Sequence, residues 1–416
     1  MNKNYLPWIF GIFYLFLLAA TWNDRVDVNA SGRTILQFWH TYNDDEEKLL
    51  KEVIAEWEAQ PANSNWAIRP IRIPFDGHKP KIRTALTVGL GPDFARVDWS
   101  FVCELARKNA CVDLETFGFS KISDQYLSAP LNTNRIDGKY YGLPDQTTCV
   151  ALFYNKTIFR DANLDPEKPP KTWDEFIETA KKLTNSEKGT YGFGMDNTLW
   201  WTLPFFNTFG AKLISDDGKK CLLDSEAAVK ALEFKASLFS VHKIEAGAWR
   251  AGAISPESGF VNGRYAMIFM GPWNLPKFTN SKLDFGVALI PAGPAGSSSN
   301  VGGTNAVIFK SSKNPRPCYD FLTFFTSAEI QARWCKRLNQ MPVNRKSYDL
   351  FSFDDKNLQV FMEQLKTSVS NPIVTSYEML EDVVNPEMEA VITGQKTAAD
   401  ALGNASRKVE AKVLSL

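Results

Sequence analysis

Along residues 34–110 the apolar positions switch between a spacing of two and a spacing of three to four, as strands and amphipathic helices in turn require. Ile35–Trp39 reads as a strand. Asp44 and Asp45 then open a helix in which Leu49, Leu50, Val53, Ile54 and Trp57 share one face. Residues 68–75 read as the next strand, 81–90 as a helix ending near Gly89 or Gly91, 93–97 as a third strand and 99–110 as another helix. Strand and helix alternating in this way predict a parallel sheet with helices on both faces. In such sheets ligands sit beyond the carboxyl ends of the strands.

Residues 137–177 hold the clearest local pattern. Val150–Tyr154 is an apolar, aromatic and β-branched run bounded by polar turn residues, which predicts a strand covered on both faces. Pro169 and Pro170 stop a helix from extending backwards, Thr172 is placed as an N-cap, and Glu175 stands where a capping box needs it. The helix expected from Trp173 turns Trp173, Phe176, Ile177, Ala180 and Leu183 toward a sheet, and Lys181 and Lys182 toward water. An ordinary strand–helix unit would read the same way. The stretch carries no catalytic residue pattern.

The strand-end rule selects Trp39, His40, Thr41, Tyr42 and Asn43 after the first strand, and Asp98, Trp99 and Ser100 after the third. Further on, Trp200 and Trp201 follow a polar loop containing Gly192, Gly194, Asp196, Asn197 and Thr198. Trp273 stands on a stiff Gly271-Pro272 step directly after an apolar strand. Gly302-Gly303-Thr304-Asn305 precedes another strand, where bare backbone could meet a ligand or let the chain cross between domains. Flat aromatic rings beside amides, hydroxyls and carboxylates are the groups a carbohydrate needs, because it offers both an apolar C–H face and a ring of hydroxyls. The plainer alternatives are core packing for each tryptophan and helix capping for Asp98.

A chain of 416 residues exceeds the size at which one core keeps growing, so two domains are expected. Lys and Arg total 47 against 47 Asp and Glu, which gives no field to attract polyanions and argues against nucleic acid as a partner. Lys3 followed by the uncharged run Leu6–Ala20 reads as a secretory signal within residues 1–22, or as an uncleaved anchor, with small residues at Ala19-Ala20 and at Val28-Asn29-Ala30 offering two cleavage sites. Of six cysteines, Cys103 and Cys111 would lie about 12 Å apart on a helix, too far to bridge. Cys318 and Cys335, on two successive amphipathic segments, are left open between a disulfide and two buried thiols. The only histidines are His40, His78 and His242, none at ligand spacing, so neither a metal nor another cofactor is expected.

From about residue 33 to the C-terminus the chain resembles the bacterial extracellular solute-binding proteins, the sugar-capturing subunits of ABC importers such as the maltose-binding protein. The fragments that carry the resemblance include ILQFWH, GPDFARVD, DGKYYGLP, ALFYNKTIF, PPKTWDEF, FVNGRYAMIFMGPW, DFGVALIPAG, GGTNAVIFKSSKNP and TSAEIQARWCKRLNQMPVNR, in a constant order. The resemblance implies an α/β, two-lobed periplasmic-binding-protein fold, each lobe a mainly parallel sheet flanked by helices. Lobe 1 would comprise 33–143 and 300–345, and lobe 2 would comprise 147–299 and 346–416. Crossover strands would lie near Leu143-Pro144-Asp145-Gln146 and near Asn300-Val301-Gly302-Gly303. Trp273 matches the family's sugar-stacking tryptophan and Trp200 a second aromatic, with Trp201 beside it. His40, Thr41 and Asp98 match hydroxyl contacts of the first lobe, joined by Tyr42 and Trp99, and Asp145, Gly302, Gly303 and Tyr377 complete the implied site. The chain departs from the pattern in lacking the lipid-anchor cysteine, and Thr148 stands where some sugar binders carry a carboxylate.

What the resemblance implies is a monomer that captures a carbohydrate, hands it unaltered to the transmembrane subunits of an ABC permease, and performs no catalysis. A secreted carbohydrate-active enzyme is the rival from another class. It would use a carboxyl pair such as Asp98 with Asp145 or Asp196, but no nucleophile elbow, zinc motif or phosphate loop is present. A binder of glycerol phosphate is the rival within the fold. It would need a cation such as Arg250 or Arg264 to pair the phosphate.

Overall fold

Strand β1, Thr34–His40, runs parallel to β2, Trp66–Arg72, in unbroken register from Thr34 opposite Trp66 to His40 opposite Arg72. The computed structural model describes residue 29 and residues 31–215, 217–350, 352 and 354–415. The run Leu6–Ala20, expected to be a leader, and Ala30 lie outside the described residues. The chain forms two compact units. One comprises the described residues as far as Val97 with Asn109–Val112 and Ala306–Phe325, and the other comprises Asp98–Lys108, Asp113–Asn305 and Thr326–Leu416. These dividing points differ from the lobe boundaries drawn from the sequence.

In the first unit, helix α1, Asp44–Glu58, connects β1 to β2. Its capping box is complete: the Asn43 side chain accepts from the Asp45 and Glu46 N–H groups, and the Glu46 carboxylate accepts from the Asn43 N–H at 2.8 Å. Leu49, Leu50, Val53, Ile54 and Trp57 are all buried, as their spacing requires. Helix α2, His78–Thr87, starts earlier than the sequence indicates because Pro80 falls in its first turn, where a missing N–H costs nothing. Strand β3, Phe94–Asp98, is parallel to β1 with Phe38 opposite Phe94, and their rings stack at 4.4 Å. Phe321, on the helix Pro315–Phe325, meets Trp57 edge-on at 5.6 Å and closes this core.

The second unit is built on a different sheet. Strand β4, Leu143–Cys149, leads through Val150 into β5, Ala151–Asn155. Among its further elements are α3, Trp173–Leu183; β6, Tyr191–Gly194; α4, Leu199–Thr208; α5, Glu226–Ser240; β7, Tyr265–Met270; β8, Phe285–Ala288; β9, Val301–Ile308; α6, Tyr377–Ile392; and α7, Ala398–Val409. The sheet order is β8-β5-β7-β6. The expectation of a mainly parallel sheet fails here, because β5 is antiparallel to both β8 and β7 and only β6 and β7 are parallel. Every residue of β5 and β7 is buried. A strand covered on both faces is apolar throughout whichever way its neighbours run, so its sequence carries no direction. Leu152 and Tyr154 face one cluster with Trp173, Phe176 and Phe193, while Ala151 and Phe153 face another with Phe260, Phe278 and Phe361.

Helix α3 starts at Trp173 as expected, and the Thr172 hydroxyl accepts from the Glu175 N–H at 3.3 Å. The reciprocal bond is displaced by one residue, since the Glu175 carboxylate accepts from the Lys171 N–H at 2.7 Å. All six cysteines are free and buried. Cys318 and Cys335 are therefore two thiols, and burial pushes both well above the ordinary thiol range. No helix among the described residues is long and apolar enough to cross a membrane.

Candidate functional site

Three indoles converge in the second unit. The Trp200 and Trp201 rings meet edge-on at 4.8 Å, and Trp273 lies 6.2 Å from Trp200 and 6.3 Å from Trp201. Trp200 and Trp201 stand in the first turn of α4 rather than in a loop, half-buried against the core, while Trp273 is 46 % exposed. Trp273 sits in the turn Pro272–Asn274 that follows β7, and its ring folds back over Gly271 so closely that a Cβ there would lie 1.9 Å from the indole. Gly302 lies beneath Trp200 in the same way, a Cβ there meeting Thr148 Oγ1 at 2.6 Å and the Trp200 ring at 3.1 Å. The absence of side chains at these two glycines is what gives the rings their places.

The N-terminus of α4 is held from outside the helix. Thr198 makes no capping bond with its side chain; instead the Leu199 N–H donates to Asn385 Oδ1 at 2.8 Å and the Trp200 N–H to Glu381 Oε1 at 3.5 Å. Both acceptors belong to α6, and an anionic carboxylate suits the positive end of α4. The same helix α6 begins with Tyr377, whose ring meets Trp99 edge-on at 4.8 Å. Tyr377 is 6 % exposed, and neither its hydroxyl nor the Trp200 Nε1 has a hydrogen-bond partner among the described residues. Burial holds the Tyr377 phenol well above the usual tyrosine range, with the Glu381 and Asp98 carboxylates adding to the shift. Tyr377 is thus a neutral donor.

Behind Trp201 lies a buried charge. Lys235 on α5 is fully buried, and its Nζ donates to Asn197 Oδ1 and Thr202 Oγ1, each at 2.6 Å. Burial lowers its pKa to about 7, against opposing pulls from Glu245 and Asp196, and burial likewise raises both of those carboxyls. The folded pKa lies below the unfolded one, so between them the unfolded chain holds a proton the folded chain has released, and stability rises with pH. From pH 7 to 9 the wild type is expected to gain on the order of 1–2 kcal/mol over Lys235→Met. Denaturant unfolding of both at each pH measures this difference.

The first-unit candidates divide differently. His40 is fully buried between the Phe38 and Tyr42 rings, at 5.8 and 5.4 Å, with neither ring nitrogen hydrogen-bonded among the described residues. Tyr42 is 1 % exposed and carries the Arg96 guanidinium over its ring at 4.2 Å, while Arg96 also donates to Thr41 Oγ1 at 2.6 Å. His40 and Tyr42 are thus buried in the first unit, where ligand contacts were expected of them. Burial lowers the His40 pKa to about 4. Above about pH 6.5 both states are neutral, and as pH falls toward 4 only the unfolded chain takes the proton, so stability is lost in that window. His40→Leu is expected to remove on the order of 2 kcal/mol of this acid sensitivity, read from unfolding midpoints at pH 7 and pH 4.5.

The sequence model of the bacterial extracellular solute-binding proteins matches residues 43–332. The chain belongs to that family. The solute-binding protein is also similar to the sn-glycerol-3-phosphate-binding periplasmic protein UgpB of Rhizobium meliloti, 26 % identical over 92 % of this chain and 95 % of that protein. Among solved structures, it is similar to the cyclic alpha-maltosyl-1,6-maltose binding protein from Arthrobacter globiformis, with a TM-score of 0.81 at 22 % identity over 91 % of this chain and 99 % of that one. It is similar too to a solute-binding protein from Thermotoga lettingae bound with alpha-D-tagatose, with a TM-score of 0.74 at 27 % identity, 91 % of this chain and 99 % of that one. The α/β fold is the one these two solved binding proteins share.

In this solute-binding protein Asp98, Asp145 and Gly303 make contacts within the chain. Asp98 Oδ1 accepts from the Ser100 N–H at 3.0 Å and caps the turn Trp99–Phe101. Asp145 is 2 % exposed, and its carbonyl accepts from Gln331 Nε2 at 3.4 Å. Gly303 has φ +128°, and a Cβ there would lie 2.2 Å from the Gln146 carbonyl oxygen, so the paired glycines let β9 pass the backbone of β4. Glu381 and Asn385 were not among the candidates. Their signal was present: with Tyr377 they recur every four residues and so share one face of the helix.

Proposed function

We propose that this family member is the substrate-binding subunit of an ABC importer, capturing a carbohydrate reversibly and delivering it to a membrane permease. The observation that carries this reading is the convergence of Trp200, Trp201 and Trp273 with Trp273 open to solvent. Indole faces suit the C–H face of a sugar ring, each contributing about 0.5–1.5 kcal/mol beyond the area covered, while the Tyr377 hydroxyl and Trp200 Nε1 are unused polar groups beside them. Capture and release would follow from movement of the lobes 33–143 with 300–345 and 147–299 with 346–416, by small dihedral changes near residues 143–146 and 300–303. The leader within residues 1–22 would export the chain to the periplasm or beyond, where it would act as a monomer.

The reading is of binding without turnover. Asp196, the carboxyl raised by burial, lies in the field of Lys235, which is a structural partnership rather than an acid and a base flanking a glycosidic bond. The relative from Rhizobium meliloti carries glycerol phosphate in its name, yet a phosphate needs a cation facing it. Arg250 lies instead over Phe239 and Trp249 at 4.6 and 5.3 Å, and Arg264 over Tyr191 at 6.0 Å. A thermal-shift comparison of mono- and oligosaccharides with glycerol 3-phosphate separates the readings, since a ligand selective for the folded state raises Tm by mass action. A sugar is expected to raise Tm and glycerol 3-phosphate to leave it unchanged. A shift from glycerol 3-phosphate alone would replace carbohydrate with polyol phosphate.

A further inference from the structure

The first turn of α4, which carries Trp200 and Trp201, is weakly tied to its own helix. Pro204 lies inside α4 and has no N–H to offer the Trp200 carbonyl, so the bond from four residues on is missing. The Thr198 side chain makes no capping bond at the other end of the turn. A turn lacking both is held by what packs around it. Asn385 and Glu381 of α6 hold it by the Leu199 and Trp200 N–H groups. Lys235 of α5 holds it by side chains: its Nζ donates to Asn197 Oδ1 and Thr202 Oγ1, which bracket the two indoles in the chain. Thr202 Oγ1 in turn donates to the Thr198 carbonyl at 2.8 Å, closing the link across the turn.

A fully buried ammonium is a costly fastening for such a turn. Methionine has a similar length and no charge, and replacing a buried ionic group by an apolar one of like volume is commonly neutral or stabilising. Stability alone therefore does not account for Lys235. Asp196, directly before Asn197, and Glu245, beyond the end of α5, are the carboxyls whose charge acts on it among the described residues. The Glu245 carboxylate is taken up by the Gly247 and Ala248 N–H groups and Trp249 Nε1, at 2.8, 3.3 and 3.2 Å. The hydrogen bonds of Lys235 go instead to α4 and the residues that lead into it, and its Nζ stands 6.0 Å from the centre of the Phe205 ring on the same helix.

We propose that Lys235 is a positioning residue for solute capture, setting the first turn of α4 through Asn197 and Thr202 and thereby fixing where Trp200 and Trp201 meet a sugar. It touches no solute itself. The inference rests on the carbohydrate reading and adds to it the group that places two of the three rings. Charge-assisted hydrogen bonds are roughly twice as strong as neutral ones, so the turn is held most firmly while Lys235 keeps its proton. By reciprocity, a sugar that needs the turn in place favours that proton. Burial brings the loss of the proton down to about pH 7. Sugar affinity of the wild type is therefore expected to fall about three- to tenfold from pH 6 to pH 9.

Calorimetric titration of the full chain with maltose, maltotetraose, mannotriose and D-tagatose at pH 6, 7.5 and 9 tests this in wild type, Lys235→Met, Thr202→Val and the double variant. At pH 6 Lys235→Met is expected to stay folded, to bind the best probe about tenfold more weakly, and to show a shifted tryptophan emission before any sugar is added. Its affinity should not change between pH 6 and 9; Asp196 and Glu245 remain in it, so a flat profile assigns the wild-type slope to Lys235. Thr202→Val leaves the lysine its bond to Asn197 and should weaken binding less. The double variant should bind about as well as Lys235→Met alone, because the lysine acts through Thr202. Equal affinity and a shared pH profile in wild type and Lys235→Met would overturn the inference alone, as would losses that add in the double variant. Should Lys235→Met fail to fold, Thr202→Val decides, and undiminished affinity there overturns the inference. A wild type that binds none of the probes removes the carbohydrate reading and the inference with it.

Discussion

Replacing Gly303 by valine is expected to prevent the chain from reaching its native state. Two independent barriers coincide at this position. Its φ of +128° lies where an L-residue with a side chain is strained, and its Cβ would stand 2.2 Å from the Gln146 carbonyl oxygen and 3.0 Å from the Gln146 carbonyl carbon and Thr147 Cα. Those atoms are backbone of β4, so no rotamer change relieves the overlap. The cost is expected to exceed about 4 kcal/mol, the range in which single substitutions unfold a domain. Gly302→Ala is the contrasting case, because its Cβ would meet Thr148 Oγ1 and the Trp200 ring, side-chain atoms that can shift. Soluble yield and circular dichroism should show Gly303→Val unfolded or aggregated and Gly302→Ala folded, with altered tryptophan emission. A well-folded Gly303→Val would show that β9 does not pass β4 as described.

Trp273→Ala is expected to weaken sugar binding by roughly tenfold to a hundredfold while barely changing the unliganded Tm. The affinity loss combines stacking with the apolar area the ring would cover, about 1.5–3 kcal/mol together. Stability is spared because the ring is 46 % exposed and rests on the Gly271 backbone rather than in the core. Gly271→Val provides a second approach to the same ring, since any side chain there evicts the indole from its place. Calorimetric titration of both variants should show the same direction of change. Undiminished affinity in both would remove Trp273 from the site.

The parts legible in the sequence were those fixed by local periodicity. The buried face of α1, the Thr172 cap of α3 and the doubly covered β5 each follow from spacing within a few residues. The burial of His40 has a cause also visible there: it lies two residues beyond Phe38, and alternate strand positions share a face, so a core Phe38 draws His40 inward. The antiparallel course of β5 and β7 was not legible, because strands buried on both faces read alike in either direction. Cys318 and Cys335 were likewise undecided, since an even number of cysteines in an exported chain permits pairing without requiring it. The indole cluster was legible as composition but not as geometry. Trp200, Trp201 and Trp273 are brought together by β7, α4 and the Glu381 and Asn385 caps from α6, contacts between residues far apart along the chain.

The most direct measurement is a titration of intrinsic tryptophan fluorescence with a panel of mono- and oligosaccharides, followed by mass analysis of the recovered sugar. Binding at the indole face should give a saturable change with at least one sugar, a change largely lost in Trp273→Ala, and the sugar should be recovered with its mass unaltered. Emission indifferent to every sugar, or recovery of cleaved products, would contradict reversible carbohydrate capture by these three rings.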